Sequence, residues 1–249
     1  MTTARGPQRA DGWTTSVRQR LGLGRLLPLG GPADGAWIAE TAAASMLRGA
    51  AALPGTVLGK LRIGPTEEAV ERAMTGGGPD ASRDPAAPAA VPPAPPSALP
   101  PGPLRIEAEF SAAPDRPLPD VAAALRVALL AAATARLGLE IAEVDLTVTA
   151  LLEDGTPDQV TTPSPAPEAR VAKPEGAVAT AAAGVPGVVS LTRVLGGPVH
   201  TAPDHVRVEV ATAGDHRALD VARSVRTAVA AAMEDRLPVS VLVTDVVSR

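Results

Sequence analysis

The pattern that runs from Asp120 to Leu151 returns 100 residues later, from Asp220 to Val247. At that shift Asp120/Asp220, Val121/Val221, Ala122/Ala222, Arg126/Arg226, Ala128/Ala228, Ala131/Ala231, Ala132/Ala232, Arg136/Arg236 and Leu137/Leu237 coincide without a gap. An internal repeat restricts the chain to a fold that can be built twice. Each copy holds an amphipathic helix, with a stripe of Val121, Leu125, Ala128, Leu129, Ala132 and Leu137 or of Val221, Val225, Ala228, Val229, Ala232 and Leu237. Val-rich alternation follows in both, through Val144, Leu146 and Val148 or Val239, Val241 and Val243, and this is the period of a strand.

The flanks extend both copies. Leu104, Ile106, Ala108 and Phe110 alternate with charged residues, as do Val206, Val208 and Val210, and each set predicts a strand buried on one face. Ahead of them, Asp34 caps an expected helix from Ala36 to Leu53, closed by Pro54-Gly55, and Glu175 to Val185 is an Ala-rich helix closed by Pro186-Gly187. Thr56 to Ile63 and Val188 to Leu195 are further strand candidates, and Glu67 to Met74 a helical fragment. Each copy therefore reads helix, strand, strand, helix, strand. The expected fold is α+β: two small two-layer helix/sheet sandwiches joined by Pro/Ala-rich linkers. The boundaries are an arm over residues 1–33, a first repeat over 34–152 with a Pro-rich insertion at about 75–103, a linker over 153–174 and a second repeat over 175–249.

Composition enters through what the cores can be made of. The chain has one Phe, two Trp and no Tyr or Cys, so Ala, Val and Leu must fill the interior, and disulfides and thiolate metal sites are excluded. A net charge of −4 argues against a general nucleic-acid binder. The N-terminal residues Arg5, Arg9, Asp11, Arg18 and Arg20 lack an apolar stretch between them, so no secretory signal is expected. The most apolar run, Val127 to Ala135, is shorter than the roughly 20 residues a membrane span needs. The expected location is the cytoplasm, with the inner face of the membrane reached through a partner.

Candidate chemistry is sparse. His200, His205 and His216 with Asp204, Asp215 or Glu209 match no short metal-binding spacing. Gly22-Leu23-Gly24 follows no strand, Gly76-Gly77-Gly78 reads as a hinge rather than a phosphate loop, and no Gly-x-Ser-x-Gly elbow occurs. Glu107 and Glu109, like Arg207 and Glu209, read as charged solvent faces. No cofactor, metal or small-molecule substrate is expected.

Two features suggest surfaces. Arg126, Arg136, Arg226 and Arg236 occupy equal positions in the two copies and suit an anionic headgroup, a partner's carboxylates or the negative end of a helix. The apolar segment Leu21 to Gly31, with Leu23, Leu26 and Leu27, follows a short Arg-rich helix expected from Thr14 or Thr15. It reads either as a docking segment or as an arm packed on the first domain.

The order of elements, with Val185-Pro186-Gly187-Val188, His205 to Val210, Asp220-Val221-Ala222 and Val239 to Val246, resembles the alkaline-shock-protein family of bacterial envelope-stress proteins. The first copy matches through Ile38-Ala39, Leu53-Pro54-Gly55, Leu104 to Phe110 and Asp120 to Val148. The segment Leu21 to Trp37 is similar to one in high-GC bacterial proteins that carry a nucleopolyhedrovirus-type family label. The resemblance implies a non-enzymatic cytoplasmic scaffold tied to envelope stress, acting by self-association or through a membrane-linked protein. A KH-like nucleic-acid-binding module is the alternative, and an unrecognised enzyme the third reading.

Overall fold

The computed structural model describes residues 22–75, 92–95, 97–152, 171–235 and 237–247. The expected helix before Leu21, the Gly76-Gly77-Gly78 hinge and most of the 153–174 linker lie outside them. The chain is α+β, built of small sheet and helix units.

The first unit's sheet has three strands, β3 (Thr56–Pro65), β4 (Leu104–Ala112) and β5 (Ile141–Leu151), with β4 in the middle. Leu104, Ile106, Ala108, Phe110 and Ala112 of β4 are buried while the residues between them face outward. A short helix α2 (Glu67–Thr75) leads out of β3. Between β4 and β5 runs α3 (Leu118–Ala132), continued by a π-helical turn, Ala133–Leu137. Its stripe of Val121, Leu125, Leu129 and Ala132 is buried at helical spacing. Gly138 ends it at a φ of 87°, and a Cβ there would stand 2.6 Å from Leu219 Cβ, so the close approach to the second unit requires glycine.

The second unit repeats the plan with α4 (Gly176–Ala183), β7 (Val188–Thr192), β8 (Val199–Thr201), β9 (Val206–Ala213), α5 (Ala218–Ala232) and β10 (Val239–Val247). β7 and β8 share one edge of β9, both antiparallel to it, and β10 runs parallel along the other. A two-residue strand β6, Val171–Ala172, pairs with β7.

Between Gly31 and Leu53 the chain departs from expectation. The helix expected from Ala36 is a strand for its first turn: β1 (Leu26–Leu29) and β2 (Ala36–Ala39) form a hairpin, and α1 runs only from Glu40 to Ala50. β2 pairs parallel to β10, with Ala36, Trp37 and Ile38 opposite Val241, Leu242 and Val243. The hairpin thus belongs to the second unit's sheet, which grows to seven strands in the order β1-β2-β10-β9-β7-β6 with β8 also on β9. Pairing along the edge of β10 overrides the helical pattern of Ile38 and Ala42. The strand that precedes the first helix in each copy, β2 or β6, is too short to be read from periodicity.

α1 leaves β2 at once and packs against β10, β3 and α3, so it serves both sheets. β10 is consequently buried on both faces nearly along its length. The two units share one continuous apolar core rather than hanging on a linker. The reading of β9 is corrected as well: Glu209, expected on a solvent face, is 0% exposed, held by the Val194 and Leu195 amides of the chain between β7 and β8. Leu47 of α1 is fully buried in the shared core. Leu47→Ala should cost about 2–5 kcal/mol. It should also move both units together, so urea curves followed by Trp fluorescence and far-UV circular dichroism coincide; two separate transitions would contradict a common core.

Candidate interaction surface

The repeated arginines do different work in the two units. In α5, Arg223 grips Asp34 with a two-pronged pair, Nε to Oδ1 at 2.8 Å and Nη2 to Oδ2 at 3.0 Å. Arg226 donates to the Ala33 carbonyl at 2.6 Å. Both therefore clamp the turn of the β1–β2 hairpin, and the Arg223 guanidinium, with the Gly31 amide, holds the Asp34 carboxyl below its ordinary range despite partial burial. In α3 the counterpart of Arg223 is Ala123, and Arg126 turns to its own unit, with Nε donating to the Val144 carbonyl of β5 at 3.1 Å. Arg136 donates to the Gly214 carbonyl at 3.3 Å, tying the end of α3 to the loop after β9. Arg236 lies outside the described residues. Leu23, Leu26 and Leu27 are buried, Leu26 and Leu27 within the hairpin, so the docking reading of that segment is corrected: these side chains are core.

The structure exposes a different surface. Phe110 of β4 stands opposite Val148 of β5, and Val210, its counterpart at the shift of 100, stands opposite Val243 of β10. Ala108/Leu146 and Val208/Val241 match in the same way. Leu146 to Val148 is therefore the counterpart of Val241 to Val243, the stretch that β2 covers. Among the described residues no strand pairs with that edge of β5. Val148 is 40% exposed where Val243 is 0% exposed. On the back of α3, two positions off its buried Val121/Leu125/Leu129 stripe, Ala123, Val127 and Ala131 form a separate exposed apolar stripe, with Val127 67% exposed, where α5 carries Arg223, Thr227 and Ala231.

This edge and stripe were missed in the sequence, although the signal was in the repeat itself: Ala123/Arg223 and Val127/Thr227 are positions where the copies differ in polarity. The helix is also longer than the apolar run suggested. Leu118–Leu137 is one of the kind that length and composition alone would let cross a membrane, yet it lays Val121, Leu125 and Leu129 on the core.

The polar groups elsewhere are structural in their geometry. The outer face of the three-stranded sheet sets Arg105 among Glu107 at 3.0 Å, Glu143 at 3.9 Å and Asp145 at 3.8 Å. His205 and His216 bond through Nδ1 to the neighbouring Asp204 and Asp215. Among the described residues no group of three or more His, Cys, Asp or Glu side chains is arranged to hold a metal ion. A cleft of about 440 Å³ between Met46, Arg136, Gly214 and Val247 lies at the junction of the units, and an open groove of about 640 Å³ runs between α4 and α5.

Two buried carboxylates carry the most demanding electrostatics. Glu40, at the β2–α1 junction, accepts from Ile63 N–H at 3.0 Å, Arg62 Nε at 3.1 Å and Arg25 Nε at 3.3 Å, and so ties the hairpin to the edge of β3. Glu209 accepts from Val194 N–H at 2.7 Å and Leu195 N–H at 3.1 Å, closing the excursion between β7 and β8. Burial raises both carboxyls; around Glu40 the Arg25 guanidinium and two amides outweigh it and the pKa falls, whereas Glu209, with Arg207 3.7 Å away, stays above its ordinary range.

Comparison with protein-family models, with curated proteins and with solved structures finds no match to the chain.

The two carboxylates give opposite pH dependences. Glu40, depressed in the folded state, contributes stability that is present above its ordinary value of 4.5 and is lost as pH falls through the folded pKa. Glu40→Gln should lose about 1–3 kcal/mol at neutral pH and flatten the acid limb. Glu209, elevated in the folded state, favours the fold most below its ordinary value of 4.5, and that contribution is lost as pH rises through the folded pKa. Glu209→Gln should reduce the fall in stability on the neutral side. Urea midpoints measured from pH 3.5 to 8 check both signs, and equal slopes in the two variants would refute the assignment.

Proposed function

We propose that the chain is a non-enzymatic scaffold that acts by association, similar in its order of elements to the alkaline-shock proteins of the bacterial envelope-stress response. The observation that carries this reading is the asymmetry of the repeat. The second unit spends its sheet edge and its arginines on the β1–β2 hairpin, while the first leaves the matching edge of β5 and the stripe of α3 without a strand or arginine clamp among the described residues. An unpaired strand edge and an exposed apolar helix face are each surfaces to which proteins add a strand or a helix from another molecule.

The charge pattern supports a protein occupant. Glu107, Glu143 and Asp145 crowd one arginine on the outer face of the same sheet, a surface that repels phosphate backbones. Its electrostatics give the KH-like alternative no support. In native extract the tagged chain is expected to migrate as an assembly larger than the 25.0 kDa monomer, in a membrane-associated fraction as well as a free one. A strict monomer with no co-migrating protein in either fraction overturns the reading.

A further inference from the structure

We infer that the β1–β2 hairpin carries a recognition surface for Pro-x-x-Pro segments in the polyproline II conformation, which Pro92 and Pro95 of this chain occupy in cis and which a segment of the same pattern in another protein can take. This surface extends the association reading above, on which it rests, and names a class of partner for it.

The conformation follows from the sequence. Proline fixes φ at about −65°, and a residue that precedes proline is held in the extended or polyproline II region. In Pro92-Pro93-Ala94-Pro95 a ring sets every φ but one, and Pro92 and Ala94 each precede a proline. A polyproline II helix has about three residues per turn, so Pro92 and Pro95 share a face. Burial follows that period: Pro92 and Pro95 are buried, and Pro93 and Ala94 between them are exposed. Rings at this spacing are what Pro-x-x-Pro ligands present to the surfaces that read them.

The hairpin supplies the complement. Gly35 ends its turn at a φ of 55°, and a Cβ there would stand 2.5 Å from Pro92 Cγ, so the bare glycine backbone is what admits the ring. Proline has no N–H to offer a strand, and up to Pro95 the segment is seated by its rings. The chain then turns, with the Ala98 N–H donating to the Pro95 carbonyl at 3.1 Å. Ala98 forms an isolated bridge with Leu26 of β1, through Leu99 N–H to the Leu26 carbonyl at 2.8 Å and Leu26 N–H to the Ser97 carbonyl at 3.4 Å.

Two observations make this contact a latch rather than part of the framework. Ser97 stands at a φ of 69°, the only residue other than glycine with a positive φ among the described residues, so the turn that returns the chain to β1 opposes its own closure. The second unit, built on the same plan, has no counterpart: between β7 and β9 it places β8 against β9 and carries no Pro-x-x-Pro. A segment the plan does not require, held by two rings and two bridge hydrogen bonds across a strained turn, belongs to the part of a structure that opens locally. Because Pro93 and Ala94 face away, the surface reads the spacing of the rings, and a Pro-x-x-Pro segment of another protein presents the same rings. The tether through α2 and β4 gives the cis segment a high effective concentration, so a partner's segment gains the surface when the latch is weakened.

The test uses the purified full chain and a fluorescein-labelled peptide with the sequence of residues 91–101. Pro92→Ala together with Pro95→Ala removes the cis rings and should leave the circular dichroism spectrum unchanged, while the Leu99 amide, bonded to Leu26 in the closed state, exchanges with solvent at least tenfold faster. Fluorescence anisotropy should then show this variant binding the peptide at least tenfold more tightly than the unaltered chain, and a peptide carrying the same two alanines should bind neither. A Leu99 amide that stays protected in the variant, or equal affinity of variant and unaltered chain for the peptide, overturns the latch. No binding by a variant whose Leu99 amide is released overturns the recognition surface, and an assembly still present in native extract then leaves association as the function. A dimer of the purified chain that the two alanines dissolve makes the occupant a second copy and overturns the partner assigned here. Peptide binding as expected in a chain that forms no assembly in native extract overturns the association reading instead.

Discussion

The parallel pairing of β2 with β10 is the contact on which the rest of the molecule depends. It brings four residues that precede the first unit's helix into the second unit's sheet. Because Glu40 begins α1 directly after Ala39, the helix must start at that sheet and can run only across β10 towards β3 and α3. From this one pairing follow the burial of both faces of β10, the Arg223–Asp34 clamp over the hairpin turn, and the Glu40 carboxylate between the hairpin and β3. A chain with one Phe and two Trp cannot bury large area in two separate small cores. Sharing α1 between two sheets gives Ala and Val positions, which bury little area each, two neighbours to be covered by.

The long elements were legible because periodicity over many residues outweighs local accident. α3, α5, β4, β9 and β10 all lie where alternation or helical spacing places them, and Gly138 stops its helix as its position suggests. The misses share a cause. Ala36-Trp37-Ile38-Ala39 is helix-compatible taken alone and becomes a strand only because β10 offers an edge, a fact about residues some 200 positions away. Glu209 reads as a solvent residue by alternation, yet the break between β7 and β8 presents two amides that need an acceptor at that point. Leu23, Leu26 and Leu27 read as a surface candidate because an apolar segment carries no mark of what covers it.

The unpaired edge of β5 and the exposed stripe of α3 were legible in principle, but only by comparing the copies with each other. Identities in the repeat record what both units need to fold, as the buried Val121 and Val221 show. Differences record what each unit does at its boundary. Arg223 and Thr227 stand where α5 meets a hairpin turn and water, and Ala123 and Val127 stand at the same places on α3. Arg126 and Arg226, identical and equivalent, end on unlike acceptors, a carbonyl of the unit's own edge strand in one case and a donated turn in the other. A repeated residue is thus evidence of equal geometry, and its partner depends on what lies beyond the edge.

Edge strands are hazardous when they are long and apolar, and proteins blunt them with charge, bulges or cover. The two units use different devices on equivalent strands. β10 is covered by a hairpin and locked by arginine. β5 keeps Glu143, Asp145 and the Arg126 cap at its first half and a register irregularity near its far end, so that among the described residues Leu146 to Val148 is the stretch left bare. Equivalent strands are thus protected by unlike means, one by cover from a hairpin about 200 residues away in the chain and the other by its own charges and a helix arginine.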